Sequence, residues 1–357
     1  MNRLILIGNG FDLAHGLKTT YKDFMRDYMC NAINLFFSNN KFDDEFIEIN
    51  YNHKIENDYQ YETSEDIKNF IALFVRRNKA VKITFKCGFF QKLFEKTHIE
   101  NWVNIESEYF YYLNDLLKKG ISIKTETSVH DFNNNFEILK YKIVKYIETV
   151  RDNAVFDGQI GKYHFKFNKN YDNKSDKNTI IDNLMFLNFN YTRTVANYFG
   201  HTLMFLKDAK KEISNENITI NNIHGELNNP ENPIIFGFGD EYDAEYQKFE
   251  HLQNNELFRH VKSFAYFTTE NYQNLIRFME MDEFEVGIAG HSCGLSDRTL
   301  LKHIFEHNNC KRIKIFHHKR KDNTTNYTEL TYEIARHFTD KKKMREKIIP
   351  FNVNDSL

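Results

Sequence analysis

Short apolar runs alternate along this chain with longer stretches in which apolar residues recur every three or four positions. Leu4–Ile7 is an unbroken aliphatic run next to a glycine, which is typical of a strand buried on both faces of a sheet. The Gly-Asn-Gly segment Gly8–Gly10 follows at once, and a helix is predicted to begin near Thr19 or Thr20. The first residues therefore predict a strand, a glycine-rich turn and a helix.

The region between residues 31 and 179 has a different pattern, with apolar residues at the spacing of an amphipathic helix. Phe136, Leu139 and Ile143, for example, fall on one face of such a helix. We therefore predict that residues 31–179 form a mostly helical insertion or lid domain. The expected helices are Phe42–Ile49, Asp66–Arg77, Phe89–Thr97, Trp102–Lys118 and Phe132–Arg151.

Strand-like runs return after residue 180 and alternate with helical stretches. This alternation predicts a parallel sheet covered by helices on both faces, with ligands beyond the carboxyl ends of its strands. The predicted fold class is α/β, with a Rossmann-like sheet built from residues 1–30 and 180–345. The expected strands are Leu184–Phe189, Leu203–Leu206, Ile218–Ile223, Ile234–Phe236, Glu285–Ala289 and Arg312–Phe316, and the expected helices are Tyr191–Phe199, Tyr246–Met281 as one helix or two, Asp297–His307 and Tyr327–Phe338.

Composition limits the classes of protein to which the chain can belong. Hydrophobic residues make up 41% of its 357 positions and aromatic residues 15%, which is ample for a folded core. The net charge of −2 gives no global basic excess, so nucleic-acid binding is not expected. The basic runs Lys311–Lys321 and Lys341–Lys347 are interpreted as solvated helix faces or tails.

Cysteine usage and the length of the apolar runs exclude further classes. The four cysteines form no CxxC pair, so we expect neither a zinc ribbon nor a disulfide framework. The sequence also has no carboxylate-rich metal motif, and we expect no metal site. No apolar run reaches the roughly 18 residues of a membrane span, and the chain opens on a strand rather than a signal peptide. We therefore expect a cytoplasmic protein that does not bind membranes.

Polar segments follow four of the predicted strands at the point where each strand ends. Because the carboxyl ends of parallel strands share one edge of a sheet, we expect these four segments to form a single site. They are Gly8–Asp12, Asn188–Thr192, Asn222–Glu226 and Gly290–Asp297.

The first of these segments suggests a phosphate site. Gly8 and Gly10 lack a Cβ, so their backbone can approach a ligand closely, and a following helix turns its dipole towards an anion. A tight turn that binds nothing is an equally good interpretation of this pair. Leu13 stands where the dehydrogenase fingerprint needs a small residue, which argues against an ordinary nicotinamide dehydrogenase.

The second and third segments supply polar groups suited to sugar and proton chemistry. Asn190 is able to orient a sugar hydroxyl or a water through its amide, or alternatively to cap a turn. His224 has a side chain that titrates near neutral pH and so suits proton transfer, although a structural histidine is the commoner case. Gly225 follows His224 and is expected to leave the imidazole accessible.

The fourth segment offers a hydroxyl and a bare backbone. Gly290 and Ser292 suit contact with a ribose or a phosphate. Asp297 is interpreted either as a ribose contact or as a first-turn partner of a helix dipole, with Ser296 as the cap of that helix.

Together these segments resemble the AbiH family of bacterial phage abortive-infection proteins. The resemblance is most distinctive at Leu4–Phe24 and extends over essentially the whole chain. The other segments that resemble the family are Trp102–Glu106, Asn188–Thr192, Ile223–Gly225 and Gly290–Ser292.

The order of the motifs is also similar, more distantly, to the sirtuin- or DHS-like NAD-binding fold. That similarity implies a phosphate loop at Gly8 and Gly10, a functional Asn190, a functional His224, and an adenosine-ribose loop at Gly290 and Ser292. Thr192 stands where the usual acid would be, and no cysteine-rich zinc module is present, so peptide deacetylation is not expected. Defensive sirtuin-like effectors also lack that module, and they cleave NAD⁺.

The resemblance therefore implies an antiphage effector that hydrolyses NAD⁺, its substrate, to nicotinamide and ADP-ribose, without a metal. Asn190, His224 and Asp12 are the expected catalytic residues. Glu106 is a further candidate beside Asp12 for stabilising a cationic transition state. The residues expected to bind the dinucleotide are Gly8, Asn9, Gly10, Phe11, Asn188, Gly225, Gly290, Ser292 and Asp297.

Two alternatives remain open at this point. The first is a non-catalytic sensor that binds a nucleotide or ADP-ribose in the same pocket. The second is a nuclease or nucleic-acid-binding toxin that uses His224, His291 and the basic C-terminal runs. A phage-derived trigger, a partner defence protein and a homo-oligomer are compatible with the effector interpretation, which also implies a latent state controlled by the helical insertion.

Overall fold

The computed structural model describes residues 1–51, 81–99, 104–118, 128–152, 171, 181–196 and 217–357. The chain divides into two compact units. Unit 1 comprises Met1–Lys18, Ile147–Gln253 and His260–Leu357, and unit 2 comprises Thr19–Tyr146 with Asn254–Arg259. The boundaries expected from the sequence, 1–30 with 180–345 against 31–179, stay a prediction.

Eight strands lie in the described residues. In chain order they are β1 (Asn2–Ile7), β2 (Phe42–Asp43), β3 (Ile47–Tyr51), β4 (Val81–Phe85), β5 (Leu184–Asn188), β6 (Ile218–Asn222), β7 (Phe284–Ala289) and β8 (Cys310–Phe316). Unit 1 contains a five-stranded sheet in the order β6-β5-β1-β7-β8, and every neighbouring pair in it is parallel. The predicted α/β fold class is confirmed.

The helices of the same residues are α1 (Asn9–Ala14), α2 (Tyr21–Asn39), α3 (Gly88–Ile99), α4 (Ile105–Lys118), α5 (Val129–Asp152), α6 (Ala244–Leu252), α7 (Lys262–Ala265), α8 (Asn271–Met281), α9 (Arg298–Glu306), α10 (Tyr327–Arg336) and α11 (Lys341–Lys347). Turns of 3₁₀-helix lie at Asn255–Phe258, Tyr266–Thr268, Leu295–Asp297 and Val353–Asp355. None of the helices described is long and apolar enough to cross a membrane.

The central strand β1 explains why the first residues of the chain are so apolar. All six of its residues are buried. Leu4 and Leu6 point into one hydrophobic core, and Ile5 and Ile7 point into the core on the other face. The prediction of a strand buried on both faces is therefore confirmed. Removing these side chains from water supplies roughly 1.5–3 kcal/mol each, and that burial anchors the sheet.

Helix α2 begins where the sequence predicted a helix. Thr20 caps it, because its side chain accepts a hydrogen bond from the Asp23 amide while the Asp23 carboxylate accepts one from the Thr20 amide. The short helix α1, which starts directly after Gly8, was not predicted. The glycine-rich turn therefore leads into α1 rather than directly into α2.

Unit 2 contains an antiparallel sheet of β2, β3 and β4 that the sequence did not predict. The expected helix at Phe42–Ile49 is wrong. The Asp44 carboxylate accepts hydrogen bonds from the amides of Phe46 and Ile47 at 2.8 and 3.0 Å, which makes a tight turn between β2 and β3.

The other helices predicted between residues 31 and 179 have different outcomes. The predictions at 89–97, 102–118 and 132–151 are confirmed by α3, α4 and α5, although residues 102 and 103 lie outside the described residues. The helix predicted at 66–77 also lies outside them.

Within unit 1, the strands and helices predicted near β5, β6, β7, β8, α9 and α10 are confirmed. The strand predicted at 234–236 is wrong. Ile235 donates its amide to the His224 carbonyl at 2.9 Å, but residues 233–236 have no regular structure. The strand predicted at 203–206 lies outside the described residues, and of the helix predicted at 191–199 only residues 194–196 are described as helical.

The stretch Tyr246–Met281 was predicted as one helix or two, and the structure breaks it further. Helices α6, α7 and α8 are separated by irregular residues and 3₁₀ turns. Gln253 has a φ of 50°, and the Asn254 side chain caps the next turn. The recurrence of apolar residues every three or four positions could not reveal these breaks, because it continues approximately through the short 3₁₀ turns. Helix α11 follows the helix that was expected to be the last.

Candidate functional site

The four polar segments begin at one edge of the parallel sheet of unit 1. They follow β1, β5, β6 and β7, which are consecutive in the order β6-β5-β1-β7. Counted along the chain, the whole sheet has the order 3-2-1-4-5 of a doubly wound fold, so its topological switch point lies between β1 and β7. Ligands of such sheets bind outside the carboxyl ends of the strands near that point.

At the switch point the turns after β1 and β7 pack directly against one another. Gly10 donates its amide to the Gly290 carbonyl at 2.8 Å, and Gly8 donates its amide to the Ala289 carbonyl at 3.1 Å. A Cβ on Gly8 would lie 2.4 Å from the Cα of His291, and a Cβ on Gly10 would lie 2.8 Å from the Gly290 oxygen. The two glycines are therefore required by this close backbone contact.

Helix α1 begins in this contact. The Phe11 amide donates to the Gly8 carbonyl at 2.8 Å, and the φ of Gly290 is +72°, a left-handed value that suits glycine. The amides of Gly8, Gly10 and Phe11 thus have partners within the protein. Their predicted role at a dinucleotide phosphate, like that of half-buried Asn9, stays a prediction.

Asp12 is a buried carboxylic acid in α1. Asp12 is only 1% exposed, and its Oδ2 accepts a hydrogen bond from Thr192 Oγ1 at 2.6 Å. Burial raises the pKa of Asp12 to about 6, and hydrogen bonds from Thr192, Thr194 and Asn190 limit that rise. A carboxyl group with such a pKa exchanges its proton close to neutral pH.

The turn after β5 is organised by Asn188. Its Nδ2 donates to the carbonyls of Asn190 and Thr192 at 3.1 and 3.2 Å, and its Oδ1 accepts from the Asn190 amide at 3.1 Å. Asn188 therefore shapes this turn, a role that the sequence had left open for Asn190. The Asn190 side chain instead donates to the Gly8 carbonyl at 3.1 Å and so joins the turns after β5 and β1.

His224 is buried, with 5% of its surface exposed, so the expectation that Gly225 leaves its ring accessible is wrong. Gly225 has a φ of +85°, and a Cβ there would lie 2.2 Å from the Pro233 carbonyl oxygen. The glycine thus serves the tight turn. His224 Nε2 lies 3.2 Å from both Asp297 Oδ1 and the Tyr266 hydroxyl.

Asp297 is the centre of a buried charge cluster. Its Oδ1 lies 2.6 Å from Lys262 Nζ and its Oδ2 lies 3.7 Å from His291 Nε2. Burial alone would raise the pKa of Asp297, but the Lys262 ammonium and the His224 ring outweigh burial and hold that pKa well below its usual range. Asp297 is also the N-cap residue of α9, where its side chain makes no capping hydrogen bond. Its predicted ribose contact stays a prediction.

His291 completes the cluster from the segment after β7. Its Nδ1 accepts a hydrogen bond from the Cys293 amide at 3.0 Å, which leaves the proton of the neutral ring on Nε2, directed at Asp297. Burial lowers the pKa of His291 to about 4, although Asp297 acts against that shift. His291 is therefore uncharged at neutral pH.

Two members of this cluster, Lys262 and Tyr266, were missed by the sequence analysis. Both lie within Tyr246–Met281, the stretch predicted as one long helix or two. Their spacing of four residues places them on one side of the α7 segment, and both are buried. A lysine on a buried helical face is uncommon unless it is paired, and that was the available signal.

The remaining predicted residues lie near this edge or elsewhere. Ser292 is exposed and Gly290 is half-buried in the turn after β7. Glu106 lies in α4 of unit 2, where it is half-buried. Of the expected catalytic residues, Asp12, Asn190 and His224 all belong to unit 1 and follow the adjacent strands β1, β5 and β6.

The fold and these motifs agree with one comparison to known proteins. No curated protein matches the chain. A protein family described as bacteriophage abortive infection AbiH matches residues 4–318. These residues include β2 to β8, all of β1 except Asn2 and Arg3, and every segment of the candidate site. This chain therefore belongs to the AbiH family of bacteriophage abortive-infection proteins.

Proposed function

We propose that this AbiH protein acts in abortive infection by hydrolysing NAD⁺ to nicotinamide and ADP-ribose at the carboxyl edge of its parallel sheet. The observation that carries the proposal is the placement of Asp12, Asn190 and His224 after three adjacent strands, β1, β5 and β6. Each supplies a group that the reaction needs, namely a carboxylate, an amide and a base. The similarity of the motif order to sirtuin-like NAD-binding domains supports the choice of substrate.

The proposed base is His224. Asp297 is anionic, so the Nε2 proton of His224 points towards it and the lone pair of Nδ1 remains to accept a proton. In the proposed reaction this lone pair takes the proton of a water as its oxygen bonds to C1′ of the nicotinamide ribose. Positioned bases of this kind contribute about 10²–10⁴-fold to a rate.

The bond that breaks joins C1′ to the ring nitrogen of nicotinamide. Its electron pair leaves with the nitrogen, so the cationic pyridinium departs as neutral nicotinamide and the ribose acquires oxocarbenium character. Asp12 in its ionised form supplies the negative charge that stabilises this cation, and Asn190 orients the nicotinamide ribose and the attacking water. Water then adds to C1′, and ADP-ribose is the second product.

In this proposal the protein does not hydrolyse NAD⁺ until phage infection. Asp12, Asn190 and His224 are all less than a tenth exposed. A dinucleotide needs access to these groups, so we infer that a phage-derived trigger, a partner defence protein or self-association opens the site. Latency also protects the host, since uncontrolled loss of NAD⁺ is lethal.

The direct test follows nicotinamide release from NAD⁺ by purified protein, with and without extract of phage-infected cells. His224→Ala and Asn190→Ala should each lower the rate at least about 100-fold. The exposed residues His251 and Asn308 provide matched controls, and His251→Ala and Asn308→Ala should leave the rate unchanged.

Full activity in both site variants would overturn the residue assignment. Absence of turnover under every condition, together with tight binding of ADP-ribose by calorimetry, would replace the hydrolase with a non-catalytic sensor.

A further inference from the structure

We propose that Lys262 is a positioning residue for His224, because its buried ammonium neutralises Asp297 and lets that carboxylate orient His224 in its unprotonated form. The inference rests on the proposed function, in which His224 accepts a proton. It assigns to Lys262 a task that involves no contact with substrate. Two of the charges that surround His224 meet at a single oxygen atom.

That atom is Asp297 Oδ1. Lys262 Nζ lies 2.6 Å from it and His224 Nε2 lies 3.2 Å from it. The side chain of Lys262 is 0% exposed and that of Asp297 is 9% exposed, so water contributes little to screening. Two hydrogen-bond donors, the Lys262 ammonium and His224 Nε2, therefore share one carboxylate oxygen in an environment with little water, where charge interactions are strong.

The backbone holds Lys262 firmly in this position. Its amide donates to the Phe238 carbonyl at 2.9 Å, and the Phe238 amide donates to the His260 carbonyl at 2.9 Å. A Cβ on Gly237 would lie 2.0 Å from the His260 oxygen, so only glycine permits this contact. The Thr299 amide of α9 donates to the Gly239 carbonyl at 3.0 Å, which ties the same segment to the helix that follows Asp297.

The charges around His224 balance only when Lys262 is present. The groups that face its ring are the carboxylate of Asp297, the hydroxyl of Tyr266 and the ring of Phe189. Through Asp297, the ring also senses the ammonium of Lys262 and the imidazoles of His291 and His337, and burial lowers the pKa of His337. His291 is uncharged at neutral pH. The Lys262 and Asp297 charges therefore cancel, and no net negative charge remains to bind a proton on His224.

Without Lys262, a buried carboxylate would remain beside two imidazoles. A charge of this kind is compensated most readily by taking up a proton nearby. His224 Nε2 is closer to the carboxylate than His291 Nε2 is, at 3.2 Å against 3.7 Å. His224 would thus become an imidazolium, which cannot act as a base.

The first readout is the charge state of the His224 ring by ¹⁵N NMR at pH 7.5, which requires no NAD⁺. The His224 signals, assigned with His224→Gln, should report a neutral ring in the wild type and an imidazolium in Lys262→Met. The double variant Lys262→Met/Asp297→Asn removes both charges and should restore the neutral ring. Lys262→Gln also removes the ammonium beside Asp297 but keeps a hydrogen-bond donor, so it gives the same comparison if Lys262→Met fails to fold. Lys248→Met, at an exposed ion pair with Glu245, is the control.

The second readout is the pH dependence of nicotinamide release. Lys262→Met should lower kcat about 100-fold at pH 7.5 and recover activity as pH rises, with KM unchanged, whereas Lys262→Arg should retain most of the activity. A purely structural role would lower kcat equally at every pH.

The outcomes separate this inference from the proposed function. A neutral His224 ring in Lys262→Met, or a proton found on His291 instead, would overturn the role of Lys262. Absence of nicotinamide release by the wild type would overturn the proposed function, and the ring charge would still decide how Lys262 affects His224.

Discussion

Two buried ion pairs lie at opposite ends of the parallel sheet in unit 1, and they differ in what surrounds them. At the amino end, Arg3 of β1 lies opposite Glu285 of β7 in the parallel register, and Arg3 Nε donates to Glu285 Oε1 at 2.9 Å. The Arg3 guanidinium lies 4.0 Å from the centroid of the Tyr171 ring. Burial raises the pKa of Tyr171, so its phenol stays neutral at every ordinary pH.

At the carboxyl end, Lys262 pairs with Asp297, and two imidazoles contact the same carboxylate. The neighbour of the first pair, Tyr171, is neutral, so the charges around Arg3 and Glu285 do not change with pH near neutrality. The second pair contacts the rings of His224 and His291, and imidazole is the side chain best suited to proton transfer. We therefore expect the first pair to stabilise the sheet and the second pair to serve the proposed reaction. Mutation of each pair should change the free energy of unfolding by a different amount and with a different dependence on pH.

The largest effect on stability is expected from Arg3→Met. This change leaves Glu285, which is 0% exposed, without its cation, and no imidazole is described beside it that could take up a proton. Breaking a buried pair in this way costs about 3–5 kcal/mol in the free energy of unfolding. Urea denaturation measures it, and Arg3→Met/Glu285→Leu should recover most of the loss. A loss below about 1 kcal/mol in the single variant would contradict a structural role for this pair.

A somewhat smaller effect, of opposite sign, is expected at Asp12. Its pKa is raised from 3.8 in the unfolded chain to about 6 in the folded protein. The carboxyl group therefore favours folding below pH 4, and that contribution is lost as the pH rises through about 6. Asp12→Asn, which keeps an acceptor for Thr192, should stabilise the protein by about 3 kcal/mol at pH 7.5 and have little effect at pH 3.5. Equal effects at both pH values would contradict the burial of an ionised Asp12.

The smallest of the three effects is expected from Lys262→Met. The variant leaves Asp297 unpaired, but proton uptake by His224 compensates part of the loss, so the expected cost is about 2 kcal/mol at pH 7.5. The cost should decrease as the pH falls, because the proton is then taken up more easily. The exposed control Lys248→Met should cost less than about 1 kcal/mol. A loss as large and as independent of pH as that of Arg3→Met would show that the two pairs are alike.

The features of this fold that could be predicted are those encoded in local periodicity. The aliphatic run of β1, the amphipathic faces of α3 to α5 and the polar segments after β5, β6 and β7 all follow from spacing along the chain. Because parallel strands align their carboxyl ends, those segments could also be placed at one edge before the structure was known. The short strands β2 and β3 could not, since a carboxylate turn at Asp44 decides them.

The features that could not be predicted depend on contacts between distant residues. Gly8 and Gly10 are explained by their packing against Gly290 and His291, about 280 positions away. Lys262 meets Asp297 because the segment Phe238–Gly239 accepts hydrogen bonds from the amides of both Lys262 and Thr299. The sequence around each of these residues contains no sign of the residue that it contacts. Local patterns therefore identify candidate residues but do not reveal their roles.

The most direct test of the central claim measures NAD⁺ and ADP-ribose by mass spectrometry in phage-infected cells that carry this protein or its His224→Ala variant. If the protein hydrolyses NAD⁺, then after infection NAD⁺ falls at least about tenfold and ADP-ribose rises in cells with the wild-type protein, and both stay constant with the variant. Constant NAD⁺ in cells that the wild-type protein still protects from phage would contradict it.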